Sequence, residues 1–237
     1  MILLLDIGNT RIKWATAKER ALGDSGDAPH AGDPAAALAQ ISLPRADQVW
    51  IAHVMGAEHE EKLSQAIARQ FGKPPRIARA GAELAGLRSA YAQPNRLGID
   101  RWLSMSALWS ELRAPFCVVS AGTALTFDAV DARGQHLGGV IAPGLAAMQS
   151  AVHGSTRFSV TGTDHQYDDH LGNDTESCVR QGASHAAAGL IDRLGARHAG
   201  ERFITGGDAD RLAGLLTTRW HARPQLVLEG LLCWGLA

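Results

Sequence analysis

Residues 3–15 read LLLDIGNTRIKWA, and residues 117–129 read CVVSAGTALTFDA. Both run from an apolar stretch into a polar residue, a spacer and a glycine, and then into a second strand-like stretch. Asp6 matches Ser120 and Gly8 matches Gly122, a separation of 114 in a chain of 237 residues. One such hairpin is common, since Asp, Gly and Asn form turns for purely local reasons. Taken alone, DIGN reads equally as an Asx-type turn. Two such hairpins half a chain apart point to a duplicated strand-loop-strand unit and so to two related α/β domains, expected at 1–114 and 115–237.

Periodicity fills in the elements around each hairpin. In the first half, strands are expected at Ile2–Leu5, Arg11–Thr16 and Gln48–His53. Residues 20–35, rich in Gly, Asp, Pro and Ala, read as loop. A helix is expected from Glu58 to Gln70, stopped by Gly72 and Pro74. Residues 79–98 read as loop and weak helix, and Asp100–Leu112 as an amphipathic helix. In the second half, strands are expected at Phe116–Val119, Ala124–Val130 and Gln135–Ala142, with a turn at Asp131–Gly134. Pro143 is placed at a helix start, a favoured proline position. Residues 154–172 read as irregular, Thr175–Leu194 as a long helix, Arg202–Thr205 as a strand and Asp210–Thr217 as a helix. A short strand near Leu226 and an apolar tail helix close the chain.

Apolar residues make up 46 % of the chain, enough for a packed core, and the formal charge is -1. That balance predicts no nucleic-acid partner and no anionic-membrane partner. Three cysteines without CxxC spacing suit a reducing, cytoplasmic compartment. The N-terminus lacks the pattern of a signal peptide, and no run approaches the roughly 18 apolar residues of a membrane span. The ten histidines show no metal-binding spacing. Trp102 and Trp109, seven apart on one expected helix, read as core, and Cys117 as a small buried hydrophobe.

A glycine at a hairpin tip lets an anion approach backbone N–H groups. Asn9, Thr10 and Thr123 add short donors, and Lys13 adds charge. Two such loops would clamp a polyphosphate, and Asp6 would hold a hydrated Mg²⁺. Neither GxxxxGK[ST] nor a strand-linked GxGxxG is present, so the nucleotide site would be built from hairpins. NRLGIDRW, residues 95–102, sets Gly98, Asp100 and Arg101 at a helix start. Asp100 there is either an ordinary dipole partner or a general base with an anion-binding arginine beside it.

DIGNTRIK, GIDR, AGTALTFD, GGVIAPG and NDTESCVRQG occur in this order. Together they resemble type III pantothenate kinase, of the acetate and sugar kinase, heat-shock chaperone and actin superfamily. The resemblance runs from Ile2 to the LVLEGLL tail. It implies an α/β fold of two ribonuclease-H-like domains with an ATP cleft between them. It also implies a homodimer and ATP-dependent phosphorylation of pantothenate to 4'-phosphopantothenate, the first step to coenzyme A. A regulatory accessory factor of the same family, with weak or no kinase activity, is the alternative.

Carried over residue by residue, the resemblance makes Asp6, Ile7, Gly8, Asn9, Thr10, Arg11, Ile12 and Lys13 the first phosphate loop, with Asp6 toward Mg²⁺. Gly122 and Thr123 contact ATP from the second loop. Asp100 is the catalytic base. Tyr91, Gly98, Ile99, Asp100 and Arg101 bound the pantothenate pocket, which Thr175 reaches from the partner subunit. GGVIAPG lies near the dimer contact, and FITGG, residues 203–207, resembles the segment near the nucleoside. Where the family has an aspartate that binds potassium or ammonium, this chain has Ser120. A neutral hydroxyl is a poorer cation ligand, so the monovalent-cation requirement is the expectation that Ser120 puts in doubt.

Overall fold

The computed structural model describes residues 1–155 and 168–237. Part of the segment read as irregular, 154–172, therefore lies outside the described residues. The chain divides into two compact units, Met1–Arg113 with Gln225–Ala237, and Ala114–Pro224.

The first unit opens with a meander of β1 (Ile2–Ile7), β2 (Arg11–Lys18) and β3 (Ala21–Pro29). Next come α1 (Pro34–Gln40), β4 (Gln48–His53), α2 (Ala57–Phe71) and β5 (Arg76–Ile77). A small hairpin, β6 (Glu83–Leu84) and β7 (Leu87–Arg88), and a 3-10 turn at Pro94–Arg96 lead into α3 (Ile99–Leu112). The sheet order is β3-β2-β1-β4-β5, with β1 antiparallel to β2 and parallel to β4. Side chains alternate across the pleat, so Leu3, Leu5 and Ile7 form one core with Val49 and Ile51 and with Leu38 and the α2 residues Leu63 and Ile67. Leu4 and Asp6 lie on the opposite face of the strand.

Residues 21–29 were expected as loop, yet they pair with β2 from Lys18–Ala21 to Arg11–Pro29, with an irregularity at Ala15/Ala17. This is an edge strand whose residues are largely exposed, so it needs none of the apolar alternation by which strands are recognised. Within 79–98 the β6–β7 pair was likewise unforeseen, being only two residues per strand.

The second unit repeats the plan. It comprises β8 (Phe116–Ala121), β9 (Ala124–Val130), β10 (His136–Pro143), α4 (Leu145–Ser155), α5 (Thr175–Gly195), β11 (Glu201–Thr205), α6 (Ala209–Ala213) and β12 (His221–Ala222). Its sheet order, β10-β9-β8-β11-β12, reproduces that of the first unit strand for strand. The strand directions agree as well: two antiparallel pairings on one side of the opening strand and two parallel pairings on the other. Cys117, Val119, Leu125, Phe127 and Ile204 pack under Ala183, Ala187 and Ile191 of α5. Cys117 is fully buried, and that burial pushes its thiol up to about 11, as fits a structural cysteine.

In the second half of the chain, three elements sit differently from the sequence reading. Pro143 closes β10, paired with Ala124, rather than opening a helix, and α4 begins at Leu145. The helix expected at 210–217 is one short turn, Ala209–Ala213. Leu226 begins a helix, α7 (Leu226–Leu236), while the short strand lies upstream at His221–Ala222.

The α7 helix also corrects the expected 115–237 domain, because it packs on α3, β1 and β4 of the first unit. The reason is steric. A Cβ at Gly230 would collide with the Leu103 carbonyl, so only glycine lets α7 approach α3 this closely. Arg76 then closes the end of the helix. Its guanidinium lies 4.9 Å from the Trp50 ring centroid and 5.2 Å from that of Trp234, and it donates to the Gly235 carbonyl at 3.1 Å.

Candidate functional site

In the first unit, β1 ends in the loop Gly8-Asn9-Thr10, closed by a hydrogen bond from the Gly8 N–H to the Arg11 carbonyl at 3.0 Å. Register sets Asp6 opposite Lys13 on β2, so both side chains share the face of the sheet away from α2. Ile7 and Ile12, the loop's apolar members, are fully buried in the core, so they fix the loop from beneath and present no side chain to a ligand. Asn9 and Thr10 are exposed at the tip. Arg11, expected to join the loop, turns its guanidinium onto Asp27 of β3.

Asp6 is the electrostatic centre of this unit. Burial, then the Asp100 carboxylate, push its carboxyl up to about 7, while Lys13 acts in the opposite direction. A carboxylate raised by burial and by a second carboxylate forms a place where a cation would be stabilised, with the Lys13 ammonium opposing it. Among the described residues no group of three or more His, Cys, Asp or Glu side chains forms a metal cluster.

Asp100 sits in the first turn of α3, whose N-cap is Gly98. A side chain at position 98 would bring its Cβ within 2.7 Å of Asp100 Oδ1, so glycine leaves that carboxylate its room. Arg101 is only 5 % exposed. Its Nη1 donates to the Tyr91 hydroxyl at 3.0 Å, and its guanidinium lies 5.8 Å from that ring's centroid. Tyr91 is held in turn by its own backbone N–H on Ser89 Oγ at 3.1 Å. Tyr91, Gly98, Ile99, Asp100 and Arg101 are thus brought together at the start of α3, with Trp102 and Trp109 buried behind them as core.

His30 was absent from the sequence reading. It follows β3 and is 4 % exposed. Its ring bonds the Gly8 carbonyl through Nε2 at 3.0 Å, and its backbone N–H bonds the Thr10 carbonyl at 3.2 Å. A lone histidine in a stretch read as loop carries no signal; only the strand pairing of β3 returns it to the tip.

In the second unit, the tip is Gly122-Thr123, and the Gly122 N–H bonds the Ala124 carbonyl at 3.1 Å. Gly144 presses on this tip: its N–H bonds the Thr123 carbonyl at 3.1 Å, and a Cβ there would strike the Gly122 carbonyl. Register puts Ser120 on one face with Thr126 and Thr205, and two residues along lies Asp128. Asp128 is buried and bonded to buried His136, Nε2 to Oδ1 at 2.9 Å. Thr175 opens α5, exposed, behind a capping box formed by Asp174 and Ser177. Hydrogen bonds from Ser177 hold the Asp174 carboxyl below its usual range.

The sequence pattern of the type III pantothenate kinase family matches residues 2–197. A type III pantothenate kinase of Nitrosococcus oceani is 35 % identical over 245 residues, covering 98 % of this chain and 92 % of that one. The chain belongs to the type III pantothenate kinase family. Solved structures agree on the fold. A Baf-family protein of Campylobacter jejuni, described as a transcriptional activator, matches with a TM-score of 0.62 at 21 % identity, over 96 % of this chain and 94 % of that one. A ROK-family glucokinase of Streptomyces griseus, in complex with glucose and AMPPNP, matches with a TM-score of 0.55 at 11 % identity, over 99 % and 98 %. At these identities the likeness carries the architecture alone: two ribonuclease-H-like α/β domains, each built on a five-stranded mixed sheet.

Proposed function

We propose that Asp100 is the general base of this family member and that the Asp6–Lys13 loop, with Gly122 and Thr123, holds ATP. As a type III pantothenate kinase, the protein transfers the γ-phosphoryl group of ATP to pantothenate, giving 4'-phosphopantothenate for coenzyme A synthesis. The observation that carries the site reading is the grouping at the start of α3, where Gly98 leaves the Asp100 carboxylate its room and buried Arg101 bonds Tyr91, with that carboxylate also acting on Asp6. It ties the tip of the phosphate hairpin to the helix start bearing the pocket residues Tyr91, Ile99 and Arg101. Phosphoryl transfer asks a protein chiefly for positioning, charge stabilisation and a group to accept the hydroxyl proton. Asp100 takes that proton. The Arg101 guanidinium, steadied by Tyr91, suits the carboxylate of pantothenate. Lys13 and the exposed tip donors suit phosphate oxygens.

Mg²⁺ fits this donor set, because an ion preferring one or two carboxylates plus phosphate oxygens would offset both the burial and the Asp100 repulsion that raise Asp6. Asp6 would hold it, and when bound it would neutralise phosphate charge during transfer. A tightly held monovalent cation fits the second hairpin less well. Ser120 brings a neutral oxygen, and the Asp128 carboxylate on that face is engaged by His136. No step is assigned to such an ion.

Homodimer formation through the GGVIAPG strand is supported by the outer edge of β10, where Leu137, Val140 and Ile141 are 53 %, 37 % and 65 % exposed. Thr175 is assigned to the partner's pantothenate pocket in such a dimer. Three unpaired cysteines support a reducing, cytoplasmic setting. Among the described residues no helix is long and apolar enough to cross a membrane.

Asp100→Asn tests the assignment. The amide keeps the shape and cannot take the proton, so turnover falls by roughly 10²–10⁴-fold while ATP affinity stays near wild type. Retention of more than about a third of wild-type turnover, far outside that range, removes Asp100 from the role.

A further inference from the structure

We infer that His30 is a positioning residue for ATP: its ring fixes the Gly8–Asn9 peptide so that the Asn9 N–H faces outward to a phosphate. The inference rests on the assignment of the Asp6–Lys13 loop to ATP.

The tautomer follows from the partners. The Gly8 carbonyl only accepts, so His30 Nε2 carries a hydrogen toward it at 3.0 Å. The Gly32 N–H only donates, so Nδ1 presents its lone pair at 3.2 Å. The ring is therefore a neutral bridge, tied on one side to the loop and on the other to the start of α1. His30 belongs firmly to that second side. Its carbonyl accepts from the Asp33 N–H at 2.8 Å, and Asp33 caps α1 through the Ala36 N–H at 3.0 Å. Helix α1 in turn buries Leu38 in the core of the unit.

The consequence for the loop is geometric. In a trans peptide the C=O and the following N–H point in opposite directions. Holding the Gly8 carbonyl inward on His30 therefore turns the Asn9 N–H outward at the exposed tip. Glycine makes this peptide the easiest in the loop to flip. A flip would present a carbonyl oxygen, the negative end of the dipole, where an anionic phosphate is to sit. The backbone bond from His30 N–H to the Thr10 carbonyl turns a second negative group inward in the same way. No charge is added to the site, so the effect falls on ATP alone.

Two isosteric variants separate this role from simple packing. His30→Gln can place an amide N–H where Nε2 lies and keeps the Gly8 bond. His30→Asn can reach only the Nδ1 position and loses it. Each variant forfeits one ring hydrogen bond, so both lower the unfolding temperature to a similar extent. Steady-state kinetics should then show the KM for ATP raised about tenfold in His30→Asn, with the KM for pantothenate unchanged and the Gln variant within about twofold of wild type. Equal ATP KM values in the two variants, or equal losses for both substrates, would overturn the inference. Should His30→Asn not fold, a rise above about fivefold in His30→Gln overturns it by itself. Asp6→Asn and Lys13→Ala, measured alongside, locate a failure. If they raise the ATP KM while His30→Asn does not, only the role of His30 is lost. If they too leave it unchanged, the loop does not hold ATP, and the inference falls with that assignment.

Discussion

The two hairpins share a strand order and a glycine tip, yet they carry charge very differently. The first tip encloses Gly8 to Arg11 between the Ile7–Ile12 pair, and the second encloses Gly122 to Ala124 between Ala121–Leu125. The first sets Asp6 across from Lys13, and buried His30 bonds the Gly8 carbonyl of its tip. The second sets Ser120 across from Thr126, and backbone contacts from Gly144 brace its tip. Duplication of a fold therefore did not duplicate its electrostatics. The ionisable side chains at the matched positions stand on the first hairpin alone, whereas the second offers hydroxyls and main-chain groups. A charged side chain beside a phosphate holds a metal or offsets developing charge more strongly than a hydroxyl, which is a weaker, neutral ligand and donor.

Neutralising the first hairpin should have the larger effect. Asp6→Asn removes the carboxylate assigned to Mg²⁺, and turnover at fixed magnesium should fall on the order of 10–100-fold, recovering in part as magnesium is raised. Unchanged magnesium dependence would return Asp6 to the role of a turn residue and erase the contrast.

The same variant should show the cost of that charge as stability. The folded carboxyl titrates at about 7, above its ordinary value of 3.8. The folded state thus binds the proton more tightly, so this contribution is fully present below about 3.8 and is lost as pH rises through about 7. Without nucleotide, Asp6→Asn should unfold at a higher temperature than wild type at pH 8. The gap should narrow steadily toward pH 4, by at most about 1.4 kcal/mol for each step of one in pH. Parallel melting curves across that range would mean that Asp6 does not titrate as a buried carboxyl.

At the matched position, Ser120→Asp should have the smallest effect. Wild-type turnover should respond only weakly to potassium, and the added carboxylate should lower the potassium needed for half-maximal rate about two- to threefold. Identical potassium titrations for the two proteins would show that position 120 does not address a cation.

How far the sequence reached follows the same physics. Strands β1, β2, β8 and β9 were legible because a buried sheet writes itself in apolar runs, and the polar residue ending each opening run marks the tip. Asp100 was legible through its place at the head of an apolar helix. β3 was not, because an exposed edge strand needs no hydrophobic code. Its loss hid His30, whose partners are the Gly8 and Thr10 carbonyls, 22 and 20 positions earlier in the sequence. The placement of α7 was hidden for a similar reason: nothing local in LVLEGLLCWGL says which core it joins, and Gly230 gains meaning only against Leu103. The engagement of Asp128 by His136 is hidden in the same way, since only the pairing of β9 with β10 brings the two side chains together.

The most direct test of the account is release of ADP by the purified protein, with ATP and Mg²⁺, in the presence and absence of pantothenate and over a range of potassium. ADP should form one for one with 4'-phosphopantothenate, only when pantothenate is present, and with a shallow dependence on potassium. Absence of pantothenate-dependent turnover at every potassium concentration would contradict it.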